Sequence, residues 1–199
     1  MAKGLNVTVD VNQALDQAER LADRLWQGFA GKATNVVIAL ANNTQWDLRH
    51  MGGFQWQGIT TDPAEDIAAG DTGGWRVYST GLDGSFSMQS WQMRWPSGAP
   101  SSLFLNVGGL VYATRRQPRF TTLLSPENLL GDGSGSAKTQ ALRQLDQGRA
   151  TGWTQDVSFP GPESRGSTSF EIRTVVTGPS IDDISYGMTY LVTLNQVTD

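Results

Sequence analysis

The sequence predicts an all-β fold: an antiparallel β-sandwich with an N-terminal amphipathic helix and a second short helix late in the chain. Three observations carry that reading. Residues 11–29 sort onto two sides of a helix without one misplacement. Almost everything after them consists of short apolar or alternating runs separated by Gly, Asn, Asp, Ser or Pro, the pattern of strands and turns. Composition agrees, because 17% charged residues set against 23 Gly, 8 Pro and 7 Trp is poor in helix-building Lys and Glu and rich in strand and turn formers. A chain of 199 residues suffices for one well-cored domain and is short for two. The expected division is an arm and helix over 1–34 and a single sandwich domain over 35–199.

Residues 6–10 alternate enough for a short strand or an extended arm. At 100° per residue, Val11, Ala14, Leu15, Ala18, Leu21, Ala22, Leu25, Trp26 and Phe29 then share one apolar stripe about 140° wide. Asn12, Gln13, Asp16, Gln17, Glu19, Arg20, Asp23, Arg24 and Gln27 make the other face polar throughout. Gly28 and Gly31 with Lys32 suit a helix exit, glycine taking the left-handed stop and the cation favouring the C-terminal dipole. Residues 35–41 are a nearly continuous apolar run, which predicts a buried strand, and Asn42 with Asn43 predicts its turn. A strand restarts over 45–49, and Gly52-Gly53 introduces the aromatic alternation of 54–58.

Asp62-Pro63-Ala64-Glu65 has the order of a short helix start, with Asp62 as N-cap, Pro63 at the first helical position and Glu65 at the third. Strands are expected over 75–79, 84–89, 91–95, 103–107 and 110–114, after which the segment from Arg115 to Phe120 interrupts the sheet. A Gly/Ser loop over 131–135 precedes a second helix defined by Ala137, Ala141, Leu142 and Leu145 and ending near Gly148. Three closing strands are expected over 152–159, 167–177 and 186–195.

With no Cys there is neither a disulfide framework nor a thiolate metal site, so burial must hold the fold. The net charge of −4 is uneven: seven basic against ten acidic side chains over 1–108, six against three over 109–149, and two against six over 150–199. That local basic excess is far below what nucleic-acid binding needs, and no nucleic-acid partner is expected. No run approaches the roughly 18 apolar residues of a membrane-spanning helix, and the N-terminus lacks an apolar signal core. The expectation is a soluble protein, released or exported to act on target membranes.

Catalysis has little to stand on. His50 is the single histidine, and no Ser sits in a Gly-x-Ser-x-Gly elbow. Asp62, Glu65, Asp66 and Asp71 lack the spacing of a calcium loop. The run from Gly131 to Thr139 departs from a phosphate loop at Asp132 and Ala137. No enzyme activity, cofactor or metal is expected. The aromatic residues are more suggestive. Trp46, Trp56, Trp75, Trp91, Trp95 and Trp153 with Tyr78 and Tyr112 exceed the usual needs of one small core, and such rings suit membrane interfaces or sugar faces. Three or four of them read equally well as core. Arg115, Arg116 and Arg119 beside Tyr112 and Phe120 suit phosphate headgroups, and equally a solvated basic loop. The candidates for lipid or glycan binding are Trp91, Trp95, Tyr112, Arg115, Arg116, Arg119 and Trp153. Those for a membrane-inserting helix are Val11, Leu15, Ala18, Leu21, Ala22, Leu25, Trp26 and Phe29.

Residues 36–44, Val-Val-Ile-Ala-Leu-Ala-Asn-Asn-Thr, resemble the first strand and Asn-x-Ser/Thr turn of aegerolysin-like cytolysins. Residues 53–58 resemble the next aromatic-Gly strand of that family, residues 79–86 its Ser-Gly-Thr-Glu-Gly-Ser-Phe segment, and residues 95–98 its Trp/Pro-rich stretch. A helix before the first strand, a basic stretch at Arg115-Arg116 and a second helix after it are similar to actinoporin-like cytolysins. The tyrosine-rich headgroup pocket of actinoporins has no residue-by-residue counterpart, and residues 178–199 extend past the expected last strand. The resemblance, strongest over about 36–98, implies a sandwich that binds membrane lipid, sphingomyelin or another headgroup. It further implies a homo-oligomer on the membrane that inserts the N-terminal helix to form a pore. Nineteen helical residues span about 28 Å, close to the hydrocarbon thickness, and several such helices can turn their polar faces to a water-filled lumen. Two alternatives stand beside it: a non-lytic glycan- or lipid-binding module or partner-dependent toxin component, and an assembly protein using the helix as an inter-subunit arm.

Overall fold

The protein is seen in a computed structural model that describes residues 11–27, 34–80, 84–111, 118–131, 134–148, 153–160, 167–177, 181–182 and 185–197. In chain order the elements are α1 (Val11–Trp26), β1 (Thr34–Asn43), β2 (Asp47–Gln57), β3 (Ile59–Thr61), β4 (Thr72–Ser79), β5 (Ser85–Arg94) and β6 (Pro100–Val111). They continue with β7 (Pro118–Ser125), α2 (Gly135–Asp146), β8 (Trp153–Pro160), β9 (Ser167–Thr177), β10 (Ile181–Asp182) and β11 (Ser185–Val197). One sheet has seven strands in the order β3-β4-β1-β11-β9-β8, with β10 paired to β11. The other has four, in the order β2-β5-β6-β7.

The apolar run of β1 explains the layering. Side chains alternate across a strand, so a strand buried on one face alternates in polarity, whereas one buried on both reads as continuously apolar. Val36, Ile38 and Leu40 point between the sheets, into a core with Trp75, Trp91, Leu105, Phe120, Phe170 and Tyr190. Val37, Ala39 and Ala41 point the other way, into a separate cluster with Ala14, Ala18, Ala22 and Leu25 of α1. A third cluster joins Ala141 and Leu145 of α2 to Phe54 and Met88 on the outer face of the smaller sheet. The molecule is therefore four layers deep: helix, sheet, sheet, helix.

Polar pairs register the two sheets. Thr34 Oγ1 and Ser85 Oγ lie 2.8 Å apart, Thr174 Oγ1 donates to Thr122 Oγ1 at 3.0 Å, and the Tyr190 hydroxyl donates to the Leu110 carbonyl at 3.1 Å. Buried polar groups paired in this way avoid the cost of an unmade hydrogen bond.

The sandwich with its two helices is as the sequence predicts, with local departures. One ladder is parallel: the last strand, β11, lies beside the first, Thr34 opposite Tyr186 through Asn43 opposite Asn195. The turn falls at 44–46 rather than at Asn42-Asn43, because the Asn42 amide stays in the strand and donates to the carbonyls of Trp46 (2.7 Å) and Ala68 (3.0 Å). Expected breaks at Gly52-Gly53, Ser90 and Gly108-Gly109 are continuous strand in β2, β5 and β6, with a register shift between His50 and Gly52. Residues 118–125 pair as β7 where an interruption was expected; residues 112–117 lie outside the described residues. Asp62 is no N-cap. Its φ of 55° is left-handed, and residues 63–66 form no helix before Ile67 bridges Leu48. Ala64 and Ile67 belong to the inter-sheet core, and the backbone of Ile67 is bonded to Leu48 of β2 in both directions, at 2.8 and 2.9 Å, instead of to a helical turn.

Candidate functional site

α1 is 16 residues long, three fewer than the stripe suggested, which sets its length at about 24 Å. Ala14, Ala18, Ala22 and Leu25 are buried against the larger sheet, and Leu15, Leu21 and Trp26 are half-buried beside them. The side chain of Val11, and Phe29 altogether, lie outside the described residues. The opposite face is exposed at Asn12, Gln13, Asp16, Glu19, Arg20, Asp23 and Arg24.

The sheet under α1 is cut to the helix. Leu25 and Leu21 lie over Gly74, where a methyl would sit 2.5 Å from the Ile38 carbonyl oxygen, 3.0 Å from Leu25 and 3.2 Å from Leu21. Trp26 fills the space above Gly187, where a methyl would overlap its ring, and its Nε1 donates to Thr189 Oγ1 at 2.5 Å. Gly74 is opposite Ala39 and Gly187 opposite Asn35, so the helix descends toward the start of β1 and runs antiparallel to it. At its C-terminus, Arg76 Nη1 from β4 donates to the carbonyls of Leu25 (2.8 Å) and Gln27 (2.6 Å). The same guanidinium is held through Nε by Asp62 Oδ2 at 2.5 Å and Thr61 Oγ1 at 2.5 Å. A cation there supplies donors to carbonyls at the helix end and suits the dipole.

The other candidates do not form one site. Trp91 is fully buried in the inter-sheet core, with Nε1 donating to the Glu65 carbonyl at 2.8 Å, so it is a structural residue and not a ligand platform. Trp95 is half-buried, its ring tilted by 42° against Trp46 with centroids 3.9 Å apart, and Trp46 meets Phe170 edge-on at 5.3 Å; the exposed segment 96–100 follows Trp95. Arg119 is half-buried on β7 and alternates with the inward Phe120, which places it on the α2 side of the sandwich, opposite α1. Tyr112, Arg115 and Arg116 lie outside the described residues, as does the side chain of Trp153.

The acidic cluster is dispersed. Asp62 goes to Arg76, Asp66 Oδ1 accepts the backbone N–H of His50 at 2.7 Å, and Asp47 Oδ1 that of Ala69 at 2.9 Å. Asp47, Arg49, Asp66, Asp71 and Arg94 line an open cleft of about 580 Å³ at the β2 edge. Among the described residues no group of three or more His, Asp or Glu is placed to hold a metal. The His50 ring meets Gln89 Oε1 at 2.8 Å and has neither a serine nor a carboxylate as its partner there.

Sequence reasoning missed Arg76, Gly74 and Gly187 and gave Asp62 another role. Only the cation rule for helix ends offered a signal, and it pointed to Lys32, nearby in the chain, instead of a strand residue brought in by the fold.

No protein-family model matches the chain, and no curated protein matches it in sequence. Its structure is similar to the solved structure of the lipid-binding protein Nakanori, with a TM-score of 0.56 and 15% identity over 89% of this chain and 79% of that one. The likeness is one of fold. It agrees with the expected sandwich and transfers no binding residue. Among the described residues no helix is long and apolar enough to cross a membrane.

Proposed function

We propose that this protein binds membrane lipid through its sandwich and that α1 is the element that leaves the sheet to enter the bilayer. The observation carrying the reading is the independence of α1. Its apolar stripe forms a cluster with one outer sheet face, and none of its residues belongs to the core between the sheets. Removing it leaves that core whole. The fold shared with a lipid-binding protein supports the lipid half of the proposal. The division at residue 34 marks the moving part, and half-buried Trp95 beside its exposed loop is an interfacial contact of the sandwich itself. At about 24 Å, α1 alone falls short of the roughly 30 Å hydrocarbon core, so insertion draws on flanking residues or thins the bilayer. Its polar face requires several copies around a lumen, which makes the active form a homo-oligomer.

A second reading has its own support. The close approach of α1 at Gly74 and Gly187 suits a permanent layer, and then the protein is a non-lytic lipid- or glycan-binding module. Vesicle co-sedimentation and dye release across a lipid panel including sphingomyelin separate the two. Binding with leakage is the expected result, and binding without leakage selects the module. No binding to any vesicle contradicts both lipid readings.

A further inference from the structure

We infer that Arg76 is the clasp that keeps α1 on the sandwich, and that opening this clasp frees the helix while both sheets stay folded. The inference rests on α1 being the moving part and names the residue that regulates the movement.

Arg76 is fixed on both sides within the sheet, opposite Val37 of β1 and Thr61 of β3. From that anchored position its side chain reaches outward and closes over the last turn of α1, giving hydrogen bonds to the Leu25 and Gln27 carbonyls. The guanidinium is a partner of both carbonyls and sits at the negative end of the helix dipole. Asp62 holds it from behind. The left-handed backbone at Asp62, a conformation Asp tolerates better than most residues, belongs to the turn that delivers the carboxylate to Arg76. The Arg76 side chain is 20% exposed and that of Asp62 50%, so the clasp lies at the surface, where it can open without unpacking the core.

The clasp adds a polar tie to the packing of α1. Ala14, Ala18 and Ala22 meet Val37, Ala39, Ala41 and Leu191 through one methyl group each, and toward the C-terminus Leu25 is buried with Leu21 and Trp26 half-buried beside it. To that apolar contact the guanidinium adds charge-assisted hydrogen bonds, about twice as strong as neutral ones. Losing it leaves the C-terminal half of the helix held by Leu21, Leu25 and the Trp26–Thr189 hydrogen bond alone among these contacts.

Hydrogen exchange of the full chain in buffer, without lipid, tests this. In Arg76→Ala, amides of residues 11–27 should exchange roughly tenfold faster or more, while those of β9 and β11 stay within about twofold of the parent. Asp62→Asn should give a smaller acceleration of about threefold confined to the same segment, because Arg76 keeps its helix bonds and loses its anchor. Arg76→Lys, with the charge but without the fork, should fall between Arg76→Ala and the parent. Unchanged exchange in α1 overturns the inference. So does acceleration of α1 and β11 together, which would make the helix inseparable from the sheet. If Arg76→Ala does not fold, Asp62→Asn carries the test with the same two contrary outcomes. Failure of the parent protein to bind any vesicle would remove the lipid reading and leave this buffer measurement standing.

Discussion

The two helices occupy matching positions on opposite outer faces of the sandwich, yet they are held differently. α1 lies on a bed of Ala39, Ala41, Gly74 and Gly187, close enough that the sheet backbone itself shapes the contact. α2 packs through Ala141 and Leu145 against larger partners, Phe54, Met88, Leu129 and Leu130. Grooves of about 160 and 230 Å³ remain along it, one lined by Phe120, Leu123 and Gln144, the other by Met51, Phe54 and Lys138. Its start is capped by Ser134, whose Oγ accepts from the Ala137 N–H at 3.3 Å. A helix held by backbone proximity is intolerant of one added methyl, and the proposed clasp would let it leave as a unit. A helix held by side chains beside grooves tolerates substitution.

The contrast is most sharply broken at Gly74. Gly74→Ala drives a methyl against the Ile38 carbonyl, a backbone atom that cannot rotate away, and should cost about 3 kcal/mol in denaturant unfolding. Gly187→Ala meets the far end of the Trp26 indole, which can swing aside, so about 2 kcal/mol is expected. Combining it with Trp26→Phe should recover part of that loss in a double-mutant cycle. On the other face, Gly108→Ala places a methyl 2.7 Å from Leu145 Cδ2 and 3.2 Å from Met88. Side chains can give there and the unfolded chain loses entropy, so the net change should stay within about 1 kcal/mol. Ser134→Ala removes the α2 cap for about 0.5–1 kcal/mol, with no effect on exchange in α1. Equal losses at Gly74 and Gly108 would erase the distinction between the two helices.

What the sequence made legible was local or periodic. The α1 stripe announces an interface because 3.6-residue periodicity is written in the chain, and β1 announces double burial through its unbroken apolar run. β9 falls over 167–177 as its alternation predicts. What stayed hidden depends on contacts between distant residues. Nothing near β11 says that it lies parallel to β1, 152 residues away at the Asn43–Asn195 amide pair. Trp91 looks the same in sequence whether it faces a membrane or a core, and its burial follows from which face of β5 turns inward. Asp62 and Arg76 are ordinary surface charges until the β3–β4 pairing joins them and α1 settles above. Trp95, Arg119 and the apolar face of α1 lie on different parts of the sandwich, a separation set by strand alternation.

If α1 moves from the sheet into lipid as proposed, Trp26 reports on it. Emission of the parent and of Trp26→Phe would be compared on vesicles whose acyl chains carry bromine, the difference isolating the Trp26 signal. That difference signal should be unquenched in buffer and quenched once the protein is bound. A bound protein whose Trp26 signal stays unquenched on vesicles would contradict it, leaving α1 as a fixed layer of the sandwich.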